Sequence, residues 1–381
     1  MSFKLQAPSF KLAAAAILTL LPLQDPDLEA ALKADRARIA AKKPLTKEGM
    51  ASYVQVAGRP SAERTTYRLA VIPVTFSDAG ARRADLQKAL LEPLAAYYKA
   101  QSAGTFELVP TLLEARQSGA GRAQLAKAAT GSPAERAILE ALLKEGRLPE
   151  ADGLLFAAAG EIGAHGTALW PHKSSLLIGG REVHYVLLPE SGDHRWFGIA
   201  AHEVGHLLKL EDKYEDPKAR VGRWCLMGTG YLDATKENPQ PGPLCAVCRA
   251  SLGWFAPLVH DPGAEASIAL PAGVTAAARI PINKDGKESI VLETRGKSLL
   301  VWHTGGGRPI ELAAILPTES RDRLTPWSDP ALRGRTLGAV DLWITDVRFQ
   351  EGRAWFRLGP KADLTPLEVL RRGRVGRELG K

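Results

Sequence analysis

Short apolar runs alternate with helical periodicities through the first two thirds of the chain. Residues 67–76 (YRLAVIPVTF) form an apolar strand-like run, stopped by Ser77, Asp78 and Gly80. Over 84–101, Leu86, Leu90, Leu94 and Tyr97 recur at three- and four-residue spacing, which predicts a helix. A returning strand is expected over 104–109. Ser132-Pro-Ala-Glu135 supplies an N-cap, a proline at the first helical position and a glutamate three residues on, so another helix is predicted over 132–145. Residues 152–159 and 183–188 read as strands, and 197–208 is helical in pattern. Strands mixed with helices up to about Trp254 predict an α/β (α+β) layered unit with a mixed sheet. Beyond His260 the short runs 267–270, 277–282, 289–294, 298–303, 340–347 and 353–358 are separated by Gly, Pro and Asp turns, which predicts a β-rich second unit.

The ends differ from the middle. Lys4 and Lys11 precede an apolar run at 12–23, shorter than the ~20 residues a membrane span needs. That order fits an export signal over 1–24, with secretion or a periplasmic or cell-surface location as the consequence. No integral span then remains. Residues 25–60 are charged and alanine-rich, a helical leader, linker or pro-segment. The expected units are therefore 61–258, the β-rich 259–360, and a basic tail over 361–381. Composition agrees with a folded globular chain, 45% apolar and 24% charged across 381 residues.

A formal charge of +8, from 50 Lys+Arg against 42 Asp+Glu, invites a nucleic-acid reading. Position argues against it. Many of the basic residues sit toward the ends, from Lys33 to Lys47 and from Arg371 to Lys381, and no stretch interleaves them with aromatics as a base-stacking surface would. No nucleic-acid partner is expected.

The chemistry concentrates at 202–212. In His202-Glu203-Val204-Gly205-His206, the two histidines four apart lie on one helix face and can bind one Zn²⁺. Glu203, one position round, reaches a zinc-bound water as its general base. A catalytic zinc needs a third protein ligand, and Asp212 stands ten residues after His202, with Glu211 and Glu215 as alternates. Met227 lies in a Gly-rich turn, Cys225-Leu-Met-Gly-Thr-Gly230. Three cysteines, Cys225, Cys245 and Cys248, suggest a disulfide from Cys225 to one of the other two; the same three with His260 form an alternative structural zinc site. Asp212, Glu215, Asp216 and Asp233 offer a calcium-type cluster. His165, His172, His184, His194, His260 and His303 lack paired spacing and read as surface or packed residues.

These motifs, taken in order over 65–305, resemble the immune inhibitor A-type secreted metallopeptidases of the metzincin clan. The resemblance is carried by Leu69–Asp78, by Tyr97-Tyr98 with Ser102 and Gly104, by Trp170-Pro-His172, by His202 through Tyr214, by Leu252-Gly-Trp254, by Glu293-Thr-Arg295 and by Leu299 through His303. It departs at Lys209, where the family has glycine, and at Glu211, where it has proline. The resemblance implies a metzincin-like domain with an active-site helix. It also implies zinc-dependent cleavage of protein or peptide substrates, with His202, His206 and Asp212 as ligands, Glu203 as base and Met227 beneath the metal. Tyr231 and Tyr214 are candidate oxyanion donors. The glycine departure motivates an alternative, a degenerate binding protein on the same scaffold.

Overall fold

The structure is a computed structural model that describes residues 45–58, 60–79, 85–144, 146, 148–214, 221–261, 263–282, 285–305, 308–316 and 343–359. The expected export signal, the leader up to residue 44, Glu215, Asp216 and the basic tail lie outside the described residues. The fold is mixed α/β, with three sheets and few helices. No helix among the described residues is long and apolar enough to cross a membrane.

Fifteen strands are described: β1 (Val54–Gln55), β2 (Thr65–Thr75), β3 (Phe106–Leu112), β4 (Arg116–Gln117), β5 (Gly153–Ala158), β6 (His172–Ile178), β7 (Arg181–Pro189), β8 (Leu258–Val259), β9 (Ala266–Pro271), β10 (Ala278–Pro281), β11 (Ser289–Arg295), β12 (Ser298–Gly305), β13 (Arg308–Leu316), β14 (Trp343–Gln350) and β15 (Arg353–Gly359). The first sheet runs β3-β2-β5-β7-β6, with β4 also pairing β2. All its pairs are parallel except β6 with β7, a hairpin that makes β6 an antiparallel edge.

A parallel sheet covered on both faces needs continuous apolar runs, and β5 is buried along its whole length. On β2 the alternation sorts the two faces. Leu69 and Val71 join the core beneath the helices Glu92–Gln101 and Trp196–Leu207, while Ala70, Ile72 and Val74 pack toward the helix Pro133–Leu143. The predicted helix over 84–101 starts as a π-type turn, Gln87–Leu91, and becomes regular at Glu92. Ser132 caps the Pro133–Leu143 helix as expected, its hydroxyl accepting from the Glu135 N–H at 3.3 Å.

The remaining sheets, β13-β12-β11-β10-β8 and β1-β9-β15-β14, face each other across one apolar core. At the described end of the 25–60 segment, Lys47–Ala51 is helical, Val54–Gln55 is a strand parallel to β9, and Val56 enters the sandwich core. The five-stranded sheet is buried on both sides. Ile290, Leu292, Leu299 and Val301 point into the sandwich, whereas Val291, Leu300 and Trp302 join the core that holds the Trp196–Leu207 helix. The β-rich region thus forms the floor under that helix.

Candidate metal centre

The helix Trp196–Leu207 is buried on nearly every side. Its glycines admit the neighbouring turn: a Cβ on Gly205 would lie 2.6 Å from Met227 Sδ, and one on Gly198 would strike the Tyr231 backbone. Tyr98 donates its hydroxyl to the Ala201 carbonyl on the same helix, and Tyr97 donates to the Gly242 carbonyl at 2.8 Å. Glycine in a helix interior costs about 0.5–1 kcal/mol. Here the missing side chains let a Met-bearing loop lie against the backbone.

After Leu207 the chain must reverse. Lys209 does so with φ 67°, in the left-handed region, while Leu210 N–H donates to the Gly205 carbonyl at 3.1 Å. Lysine adopts there the conformation that glycine would take more cheaply, at a cost of roughly 1–2 kcal/mol. The turn is made, and Asp212 returns to the histidines. Lys213 N–H then donates to the Met227 carbonyl at 2.7 Å, which ties this returning segment to the Met turn.

Three donor atoms meet as a result. His202 Nε2 and His206 Nε2 are 3.1 Å apart, and Asp212 Oδ1 lies 3.1 Å from the first and 3.4 Å from the second. Each imidazole is oriented from behind: His202 Nδ1 donates to the Leu226 carbonyl at 3.1 Å and His206 Nδ1 to the Leu210 carbonyl at 2.8 Å. A carbonyl only accepts, so both protons sit on Nδ1 and both Nε2 lone pairs face the carboxylate oxygen. Three acceptors turned on one another require a cation or added protons between them. Asp212 is the partly open member, its side chain 45% exposed, while both histidines are largely covered.

Charge around the triangle follows that geometry. Burial opposes ionisation of Asp212, but a proton taken up at Nε2 of His202 or His206 bonds to its carboxyl and holds it well below the usual carboxylate range. Burial lowers the pKa of His206, but a second proton, on Nε2, gains the Asp212 hydrogen bond and the Glu203 charge, so the pKa is raised. Glu203 is buried beside them; desolvation pushes its carboxyl up against the pull of His202, His206 and His172. Tyr231 and Tyr214 flank His202, with ring centroids 4.7 and 6.0 Å away. Burial raises both phenols, which therefore remain O–H donors.

Glu211, one of the alternates for the third ligand, is exposed near Lys213, and Glu215 lies outside the described residues. Among the described residues the calcium-type cluster does not gather: Asp212 faces the histidines, and Asp233 pairs with Arg223 at 3.2 Å.

The expected disulfide is not formed. Cys225, Cys245 and Cys248 are buried and unbridged, with sulfurs within 4.8 Å of one another, so each faces two neighbours rather than one partner. His260 is not with them; its Nε2 bonds to the Ala264 carbonyl at 3.1 Å.

Two clusters escape the motif reading. His172, read as a packed residue, is buried with Nε2 2.8 Å from Glu135 Oε1, and Tyr185 donates to the same carboxylate. Its charge reaches Glu203. Glu135 was legible as a capping residue only; its other oxygen does accept from Gly131 N–H at 2.7 Å. The second cluster gathers five residues, of which Glu293, Arg295 and Trp302 lie in the quoted stretches. Glu293 accepts from Arg249 at 2.8 Å, Arg295 at 3.0 Å, Trp302 Nε1 at 3.1 Å and the Ala246 N–H at 3.0 Å. No protein-family profile matches the chain, and no curated protein does.

Proposed function

We propose that the chain is an exported zinc-dependent endopeptidase of metzincin type. The observation that carries the reading is the triangle of His202 Nε2, His206 Nε2 and Asp212 Oδ1, with edges of 3.1, 3.1 and 3.4 Å. A tetrahedral zinc with bonds of about 2.0–2.1 Å sets its ligands about 3.3 Å apart. The match of spacing, the mutually facing lone pairs and the carbonyl-oriented Nδ1 atoms suit such an ion. Bound there, zinc would supply Lewis-acid polarisation of a carbonyl and a lowered pKa for a water.

The chain's own groups perform the rest. Glu203, made more basic by burial, takes the proton from the attacking water and delivers it to the leaving amine. Tyr231 and Tyr214, held protonated, offer O–H donors to the oxyanion. An extended peptide can lie along β6, whose outer edge pairs with no strand among the described residues. The Met227 turn under the helix and the antiparallel edge strand support a metzincin-type fold. Lys209 motivated the binding-only alternative, and its glycine-like φ favours catalysis instead.

Replacing Glu203 with Gln tests the reading. Casein cleavage is expected to fall by about 10²–10⁴-fold, with zinc content retained; unchanged cleavage would overturn the mechanism.

A further inference from the structure

We infer that Cys225, Cys245 and Cys248 hold a second metal ion, a structural zinc bound as three thiolates under the Met227 turn. The site rests on its own geometry and does not depend on the proposed peptidase activity. Cys225 Sγ and Cys248 Sγ are 3.8 Å apart, and all three sulfurs lie within 4.8 Å of one another. Sulfurs on a tetrahedral zinc, with Zn–S of about 2.3 Å, are about 3.8 Å apart. A disulfide would bring two of them to about 2.05 Å and exclude the third. The Cys245 N–H donates to Cys225 Sγ at 3.3 Å, the kind of contact that favours a thiolate ligand.

The surroundings carry the charge such a group needs. Arg249 and Arg295 are paired with a single carboxylate, Glu293, which leaves one positive charge in the interior. Both guanidinium groups donate to the Leu244 carbonyl, next to Cys245, and Arg295 also reaches the Trp224 carbonyl at 2.6 Å, next to Cys225. Glu293 takes the N–H of Ala246. Three thiolates around Zn²⁺ carry a net charge of −1, which cancels the surplus; a monovalent ion in their place would leave an uncompensated negative charge. The burial of all three cysteines is that of a structural site, whose fourth position falls to a group other than a cysteine. It fixes Cys225, whose neighbour Leu226 accepts from His202 Nδ1, so the ion also steadies the turn that aims His202.

The test uses the full chain, made with zinc and purified without chelator. Wild type is expected to carry two zinc equivalents and the His202→Ala/His206→Ala double variant one. Adding Cys245→Ser and Cys248→Ser removes that last equivalent. Cobalt(II) exchanged into the double variant should give a thiolate-to-metal charge-transfer band in the near ultraviolet. Wild type denatured with chelator and no reductant should titrate three thiols, a count that does not depend on any variant folding. A double variant with no zinc and no cobalt band, or a single titratable thiol, overturns the inference. One zinc in both wild type and double variant would sink the peptidase site and leave this one standing.

Discussion

Two three-donor clusters sit on either side of the short turn from Cys225 to Met227, and they are built in opposite ways. His202, His206 and Asp212 come from one helix and the turn that follows it, and Asp212 remains partly open. Cys225 comes from the turn, Cys245 and Cys248 from the N-cap and body of the helix Ala246–Ser251; all three are buried and are braced by buried charges from β11 and that same helix. An open cluster with a spare approach suits a site that exchanges ligands. A closed one, with its backbone held by Arg249 and Arg295, suits a site that holds the chain together.

The largest loss is expected at Glu293. Burial opposes its ionisation, yet Arg295 and Arg249 hold its carboxyl below the usual range. Glu293→Ala leaves two guanidinium groups without their partner, and chemical denaturation should show a loss of about 3–5 kcal/mol. A loss below about 1 kcal/mol would mean that the closed side does not brace the fold. Gly205→Ala probes the wall between the clusters. The new methyl would displace Met227, with an expected destabilisation of about 1–3 kcal/mol and weaker zinc retention at the histidines. Lys209→Gly acts on the open side alone. Relief of the left-handed φ should raise stability by about 1 kcal/mol in a thermal or denaturant melt, with zinc content unchanged. A destabilised Lys209→Gly protein would show that the turn is not strained.

The open cluster was far more legible in the sequence than the closed one, because it is local. A spacing of four on a helix determines which face His202 and His206 share, and ten residues suffice to bring Asp212 back. The conformation of Lys209 was not legible; a lysine is a poor indicator of a left-handed turn, and the segment after it decided the matter. The cysteines misled for a related reason: spacing shows that thiols are near one another but not whether two or three converge. Glu135 and His172 are 37 residues apart and meet only through the pairing of β6 with β7 and the packing of the Pro133–Leu143 helix on that sheet. The runs on β11 and β12 read correctly as strands. Their burial on both faces comes from two different neighbours, which a single apolar run cannot distinguish from one deep core.

The proposed peptidase stands or falls on one zinc ion held by His202, His206 and Asp212. Anomalous diffraction from crystals of the full chain, collected on both sides of the zinc absorption edge, tests it most directly. The account predicts a peak about 2.0–2.2 Å from His202 Nε2, His206 Nε2 and Asp212 Oδ1. No peak between those three atoms in zinc-supplemented crystals, with the side chains still facing one another, would contradict it.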